Sequence, residues 1–303
     1  MEPDDPAPET SAVGLDRRRF LVGAAGALVA SLHGRGGRPT AAAAAPAAEA
    51  ARAAALPPRQ ARIAELELVS AAPLAAMRAF YGDALGLPVE EGPGGLTVTA
   101  GSSRLTFRPA GPDRPGPGQP GPDPAGAFYH FAFNVPENKI AAARAWQLER
   151  TPLIAPWETL RDPRFPDDVV HFRHWDAHSV FFWDPAGNLL EHIARHTLDN
   201  AAEGPFTSAD LLCASEIGLI VDDVAPAAAA LRGAFGLADY RGASEQFTAV
   251  GDEHGLLLVM KRGRELGFGE GKTSGIFPTA AAIRAARPAV VALPGYPYRI
   301  SAR

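Results

Sequence analysis

Cysteine is almost missing from this sequence. Its 303 residues include one, Cys213, which excludes an intrachain disulfide. That residue sits in the apolar stretch 211–214, where a buried thiol fits better than a reactive one, and it is given no chemical role. An excess of either charge is missing too, with 29 Lys and Arg against 34 Asp and Glu. The first 57 residues hold six of each sign, so the whole imbalance of -5 falls on the remainder. No basic stripe is present, which speaks against nucleic acid as a partner. The apolar run near the N-terminus, 20–32, is too short and too rich in Ala and Gly for a comfortable membrane span. What remains is a globular composition, 47% hydrophobic, in a chain long enough to bury a core and to hold more than one structural unit.

The N-terminus reads as a targeting segment. Arg17, Arg18 and Arg19 precede Phe20 and Leu21 and the short apolar run, and this pattern resembles a twin-arginine export signal. Small-x-small cleavage sites follow in 40–48, and the Ala- and Pro-rich stretch to Pro58 reads as a tether without a core. Residues 1–57 are therefore expected to be signal and tether. The mature protein is expected in the periplasm or outside the cell, with no stable membrane insertion after cleavage. Such a route carries folded proteins, so the lack of disulfides and a metal loaded in the cytoplasm would both fit it.

Beyond residue 58 the chain repeats itself. Three segments, starting at Glu65, His130 and Glu216, each pair a short alternating strand with an amphipathic helix. One strand face carries Leu66 and Leu68, Phe131 and Phe133, or Ile217 and Leu219; the other carries Glu65 and Glu67, His130 and Asn134, or Glu216. Two further strands follow each helix, around 96–100 and 104–107, 179–183 and 189–194, and 247–250 and 256–261, joined by tight Gly-bearing turns. The reading is an α+β fold of three tandem βαβββ modules, each sheet covered by a helix on one face and open on the other. Residues 58–199 are expected to form a two-module domain enclosing a cleft, and 200–303 a third module with a C-terminal extension. The Gly- and Pro-rich connector Gly111 to Gly126 joins the first two modules, and an insertion, Pro156 to His178, lengthens the second.

Phe80-Tyr81 followed by Leu85-Gly86-Leu87, the strand Tyr129 to Phe133, and above all Phe182-Trp183-Asp184-Pro185-Ala186-Gly187-Asn188-Leu189-Leu190-Glu191 carry a family likeness. They resemble the vicinal oxygen chelate superfamily of glyoxalases, extradiol dioxygenases and bleomycin-resistance proteins. The likeness covers 60–197 well and 211–268 more weakly. It implies a cleft in which His and Glu from first and last strands hold a divalent metal, with a small-molecule substrate chelating through two adjacent oxygens. His130 matches the first-strand ligand of the second module and Glu191 its last-strand ligand. Glu65 falls where the first module would supply a histidine, and no carboxylate stands on the strand 104–109. One imidazole and two carboxylates leave positions for water and substrate and admit Fe, Mn, Zn or Mg.

In the insertion, His178 and His174 are the candidate catalytic acids or bases, with His171 beside them. His192 alternates away from Glu191 and is expected on the helix side. Phe181 stands where extradiol enzymes place a catalytic tyrosine, which argues against ordinary ring cleavage, and a glyoxalase reaction would use a fourth ligand. The third module keeps Glu216 but has Leu, Val and Met on its last strand, so it is expected to be structural. Its expected pairing is with 289–300 or with another copy in a homo-oligomer. Two function classes follow: a metal-dependent dioxygenase, lyase or isomerase, and a metal-free binding protein with an aromatic-lined cleft.

Overall fold

The computed structural model describes residues 61–110, 126–269 and 272–303. The segment read as an export signal and tether lies outside the described residues, as does the connector up to residue 125. Among the described residues, no helix is long and apolar enough to cross a membrane.

The fold is α+β, and its three modules follow one plan. The first comprises β1 (Arg62–Ser70), a helix from Leu74–Arg78 that widens over Ala79–Ala84, β2 (Val89–Gly92), β3 (Gly95–Ala100) and β4 (Ser103–Pro109). The second comprises β5 (His130–Val135), the helix Ile140–Leu148, β6 (Val170–Phe172), β7 (Ala177–Trp183) and β8 (Leu189–Arg195). The third comprises β9 (Cys213–Val221), the helix Val224–Phe235, β10 (Asp239–Ala243), β11 (Phe247–Asp252) and β12 (Gly255–Lys261). In each, the first strand runs parallel to the last and the strands after the helix form an antiparallel meander. The recurring apolar-Gly-Leu sequence after the helix has a mechanical reason. Gly236 adopts φ +69° and its N–H caps Arg232 O, a left-handed helix end that a side chain resists.

After a two-stranded ribbon of β13 (Glu265–Leu266) with β14 (Lys272–Thr273), a fourth, reduced unit completes the architecture: β15 (Thr279–Arg284), β16 (Ala289–Ala292) and β17 (Tyr298–Ala302). It keeps the parallel first-to-last pairing of β15 with β17 but has no helix between β15 and β16. The helix Val224–Phe235 of the third module packs against β16 as well as against its own β11 and β12.

Modules pair differently from the order along the chain. The first module and the fourth unit form a seven-stranded sheet through β1 and β15, whereas the second and third form an eight-stranded sheet, β10-β11-β12-β9-β5-β8-β7-β6. The expectation that the first two modules share one cleft is thereby corrected: they lie in different sheets, and the third module builds the site with the second. The reason lies in the strands. Every residue of β5 and β9 is buried, as suits the centre of a sheet covered on both faces, whereas β1 alternates and leaves Glu65 to solvent. The two sheets meet where Ser103 Oγ donates to Ile63 O (2.6 Å) and accepts from Ala214 N–H (3.0 Å).

The helix-side core of the second module holds Phe131, Phe133, Phe182 and Leu190, all fully buried. Each such side chain contributes about 1.5–3 kcal/mol of burial. The turn Asp184 to Asn188 is tied into this core. Asp184 accepts from Asn188 N–H (2.9 Å), Asn188 Nδ2 (2.7 Å) and the Tyr81 hydroxyl (2.8 Å), and Asn188 Oδ1 accepts from Tyr129 N–H (2.8 Å). The motif that carried the likeness is thus a hydrogen-bonded clamp holding β5 to the β7–β8 turn, with Tyr81 anchoring the first module to it.

Candidate metal centre

Strand register brings three Lewis bases together on the face of the eight-stranded sheet opposite the helices. Ala132 of β5 is paired on one side with Glu191 of β8 and on the other with Glu216 of β9. His130, two residues earlier on β5, projects from the same face. His130 Nε2 lies 3.5 Å from Glu191 Oε2 and 3.9 Å from Glu216 Oε2, and all three side chains are nearly shielded from solvent.

The imidazole tautomer follows from its other nitrogen. His130 Nδ1 is 3.0 Å from Leu189 O, and a carbonyl only accepts, so Nδ1 carries the hydrogen. Nε2 then presents a lone pair toward two carboxylates. Burial lowers the His130 pKa, against the opposing pull of Glu216, which favours this neutral form. Burial, and then the nearby Glu216 carboxylate, raise the Glu191 pKa well above the usual range, and Glu191 Oε1 is buried with no hydrogen-bond partner. Glu216 is balanced differently: Arg195, fully buried, pairs with its Oε1 and donates from Nε to Asn134 Oδ1 (3.1 Å).

The donor set fits a divalent cation. Ligands bonded at about 2.0–2.2 Å to one ion stand roughly 3–4 Å apart, and the separations here are 3.5 and 3.9 Å. Both exceed the length of an O–H···N hydrogen bond, so a shared proton satisfies this geometry less well than an ion. His130, Glu191 and Glu216 would hold the ion, with the orphaned Glu191 Oε1 left to bind or to move a proton.

Aromatic and apolar side chains wall the site. Phe181, paired with Glu191 across β7 and β8, stacks beside His130 with ring centroids 6.1 Å apart and meets Phe268 edge-on. A small cavity beside His130 is lined by Gly218, Ile220, Leu266, Phe277 and Tyr298. Gly218 lines it against β5, where a Cβ would lie 3.4 Å from His130 O and 3.7 Å from His130 Cβ.

The other residues singled out from sequence lie elsewhere. Glu65 is exposed on the seven-stranded sheet, between Arg104 of β4 and Ala282 of β15, so it does not approach His130; Glu216 stands in the place expected of it. His178 alternates away from Phe181 and projects from the helix side, where it faces Asp162, so it is not an acid or base beside His130. His174 is exposed and donates from Nε2 to Arg241 O (2.5 Å), a tie between the insertion and β10. His192 is on the helix side, donating to Gln147 Oε1 (3.0 Å).

Two site residues escaped the sequence reading in their roles. The sequence makes Glu216 the third module's counterpart of His130, but the lack of a ligand on that module's last strand marks it as structural; the pairing of β9 with β5 is what brings Glu216 beside His130. Arg195 follows Glu191 by four positions on one strand, the spacing that puts both on one face.

No family model and no curated protein sequence matches the chain. Solved structures give weaker likenesses. A candidate dioxygenase from Bacillus subtilis subsp. subtilis str. 168 shows 16% identity over 80% of this chain and 84% of that one, with a TM-score of 0.48. Glyoxalase I from Zea mays shows 14% identity over 80% and 92%, TM-score 0.41. Lactoylglutathione lyase from Agrobacterium tumefaciens shows 22% over 46% and 95%, TM-score 0.31. Scores this low do not assign the chain to a family.

Proposed function

We propose that this chain is a divalent-metal enzyme of the vicinal oxygen chelate type, acting on a small molecule that chelates the ion through two adjacent oxygens. The observation that carries the reading is the His130 Nε2 lone pair, fixed by the Nδ1 hydrogen bond and aimed between two buried carboxylates. Three protein donors leave up to three positions of an octahedral ion for water and substrate. The bound ion would polarise a substrate oxygen.

The chain's own residues favour proton transfer as the chemistry. Glu191 Oε1 is buried without a hydrogen-bond partner, and a carboxylate oxygen so placed beside the ion position could accept a proton from substrate. Phe181 beside it has no hydroxyl to offer, which disfavours ring cleavage of the extradiol kind. An isomerase or lyase reading therefore ranks above a dioxygenase. Arg195 fixes Glu216 through Oε1 and leaves Oε2 turned toward the ion position. The walls formed by Phe181, Phe277 and Ile220 would exclude bulk water.

Export by the twin-arginine route to the periplasm or beyond is part of the same proposal and rests on Arg17 to Leu21. The test of the metal reading is elemental analysis of protein folded with Mn, Fe, Zn or Mg present. About one ion per chain at this site, lost in His130→Ala with the fold retained, is expected; a wild-type chain that binds no divalent ion favours the metal-free binding reading.

A further inference from the structure

A second cluster of metal-ligating groups lies on the other face of the same sheet, in the insertion of the second module. His178 of β7 is three residues from Phe181 along the strand and so projects to the helix side, away from Glu191. His171 of β6 is its direct cross-strand partner, and the two rings stack with centroids 4.3 Å apart and planes 12° from parallel. Asp162 reaches over both from the segment before β6, held in place by the bridge between Arg161 and Val170. Its Oδ2 lies 3.0 Å from His178 Nε2 and 3.3 Å from His171 Nδ1.

The ordinary explanation, a hydrogen-bonded histidine pair, leaves one atom over. His171 Nδ1 is buried without a hydrogen-bond partner, although it faces the carboxylate. A buried ring nitrogen costs about 1–3 kcal/mol when unmatched. On its far side His178 Nδ1 lies 2.7 Å from His196 Nε2, so a neighbour stands ready to orient the ring with Nε2 turned to Asp162, as outer partners of metal-bound histidines do.

We propose that Asp162, His171 and His178 form a second divalent-cation site, of the zinc class by its two imidazoles and one carboxylate, with His196 orienting His178. The 3.3 Å between Oδ2 and His171 Nδ1 is close to the spacing of ligands on one tetrahedral ion, and the 3.0 Å to His178 Nε2 is a hydrogen bond that such an ion would replace. Arg164 occupies Asp162 from outside, with Nη2 2.7 Å from Oδ2 and Nε 3.1 Å from Oδ1. Its side chain is 71% exposed, so Nη2 can yield Oδ2 to a cation and turn to water. Such an ion pins the insertion, and with it the His174 contact to Arg241, against β7. The role is structural: the ion lies across the sheet from the cleft and does not depend on the chemistry proposed there.

The experiment uses the full chain, incubated with Co2+ or Zn2+, dialysed and analysed for metal content, with the visible absorption of Co2+ as a second reading. Wild type is expected to hold two ions, His130→Ala one, His171→Gln one, and the double variant none. In the His130→Ala background Zn2+ should raise the melting temperature, and adding His171→Gln should remove that rise. Circular dichroism establishes that each variant is folded, and Asp162→Asn serves as an independent removal of the same ion. A His130→Ala chain with no bound ion, or unchanged metal content in both His171→Gln and Asp162→Asn, overturns the proposal. The first of these results leaves the cleft site standing, so the two claims fail separately.

Discussion

Arg195 and Glu216 form an ion pair at the centre of the eight-stranded sheet, with 0% and 2% of their side chains exposed. The pair joins β8 of the second module to β9 of the third, across β5. Replacing Arg195 by Met leaves a buried carboxylate without its cation and Asn134 without its donor. Removing one partner of a buried pair costs about 3–5 kcal/mol. Urea unfolding of Arg195→Met should show a loss of that order. A loss under about 1 kcal/mol would mean that the pair does not hold the two modules together.

Tyr81 makes the corresponding link for the first module. Its hydroxyl donates to Asp184, a carboxylate whose pKa is raised by burial and drawn back by hydrogen bonds from Asn188 and Tyr81. Tyr81→Phe removes one of these donors and should cost about 1–3 kcal/mol. Chemical unfolding at neutral pH measures it, and a neutral substitution would show that the clamp around Asn188 suffices alone.

Much of this was legible in the sequence, and the limits have physical causes. Alternation in β1, β5 and β9 reports which face is polar, and the Asp184 to Asn188 turn reports where β8 begins, so His130 and Glu191 could be brought to one face from sequence alone. Which module lies beside which is decided by contacts far apart along the chain, such as Arg195 with Glu216 and Ser103 with Ala214. Local pattern carries no record of these. Glu65 and Glu216 occupy the same place in their modules, and only sheet pairing separates the exposed one from the buried one. The side of His178 is legible too, since three residues along a strand from the cleft-facing Phe181 is an odd step that turns it to the opposite face.

Acid sensitivity should come in part from His192. Burial pushes its pKa down to about 3 in the folded protein, below the ordinary value of 6.5. The unfolded chain then binds a proton that the folded chain refuses, so stability is lost as pH falls below about 6.5 toward the folded value. The slope is about 1.4 kcal/mol per pH unit, or about 2 kcal/mol by pH 5. His192→Gln, which keeps a polar group facing Gln147, should unfold in urea with a shallower pH dependence between 7 and 5. An unchanged slope would assign the acid sensitivity to other groups.

Export can be examined independently of the cleft. Replacing Arg17 and Arg18 by Lys should leave the precursor in the cytoplasm, as read by fractionation and immunoblotting. Normal export of that variant would remove the twin-arginine proposal without touching the metal site.

The central claim is that His130, Glu191 and Glu216 hold one divalent ion, and Glu65 supplies its internal control. Both Glu216→Gln and Glu65→Gln remove one carboxylate charge from a first strand, but Glu216 lies 3.9 Å from His130 Nε2 and Glu65 is exposed on the other sheet. The measurement is the affinity of each variant for Mn2+ or Zn2+ by calorimetric titration, in a His171→Gln background so that the second cluster does not contribute. Loss of one carboxylate ligand should weaken binding at least about tenfold in Glu216→Gln, while Glu65→Gln should match the parent chain. Equal affinity in all three chains, or a loss in Glu65→Gln alone, would contradict the account.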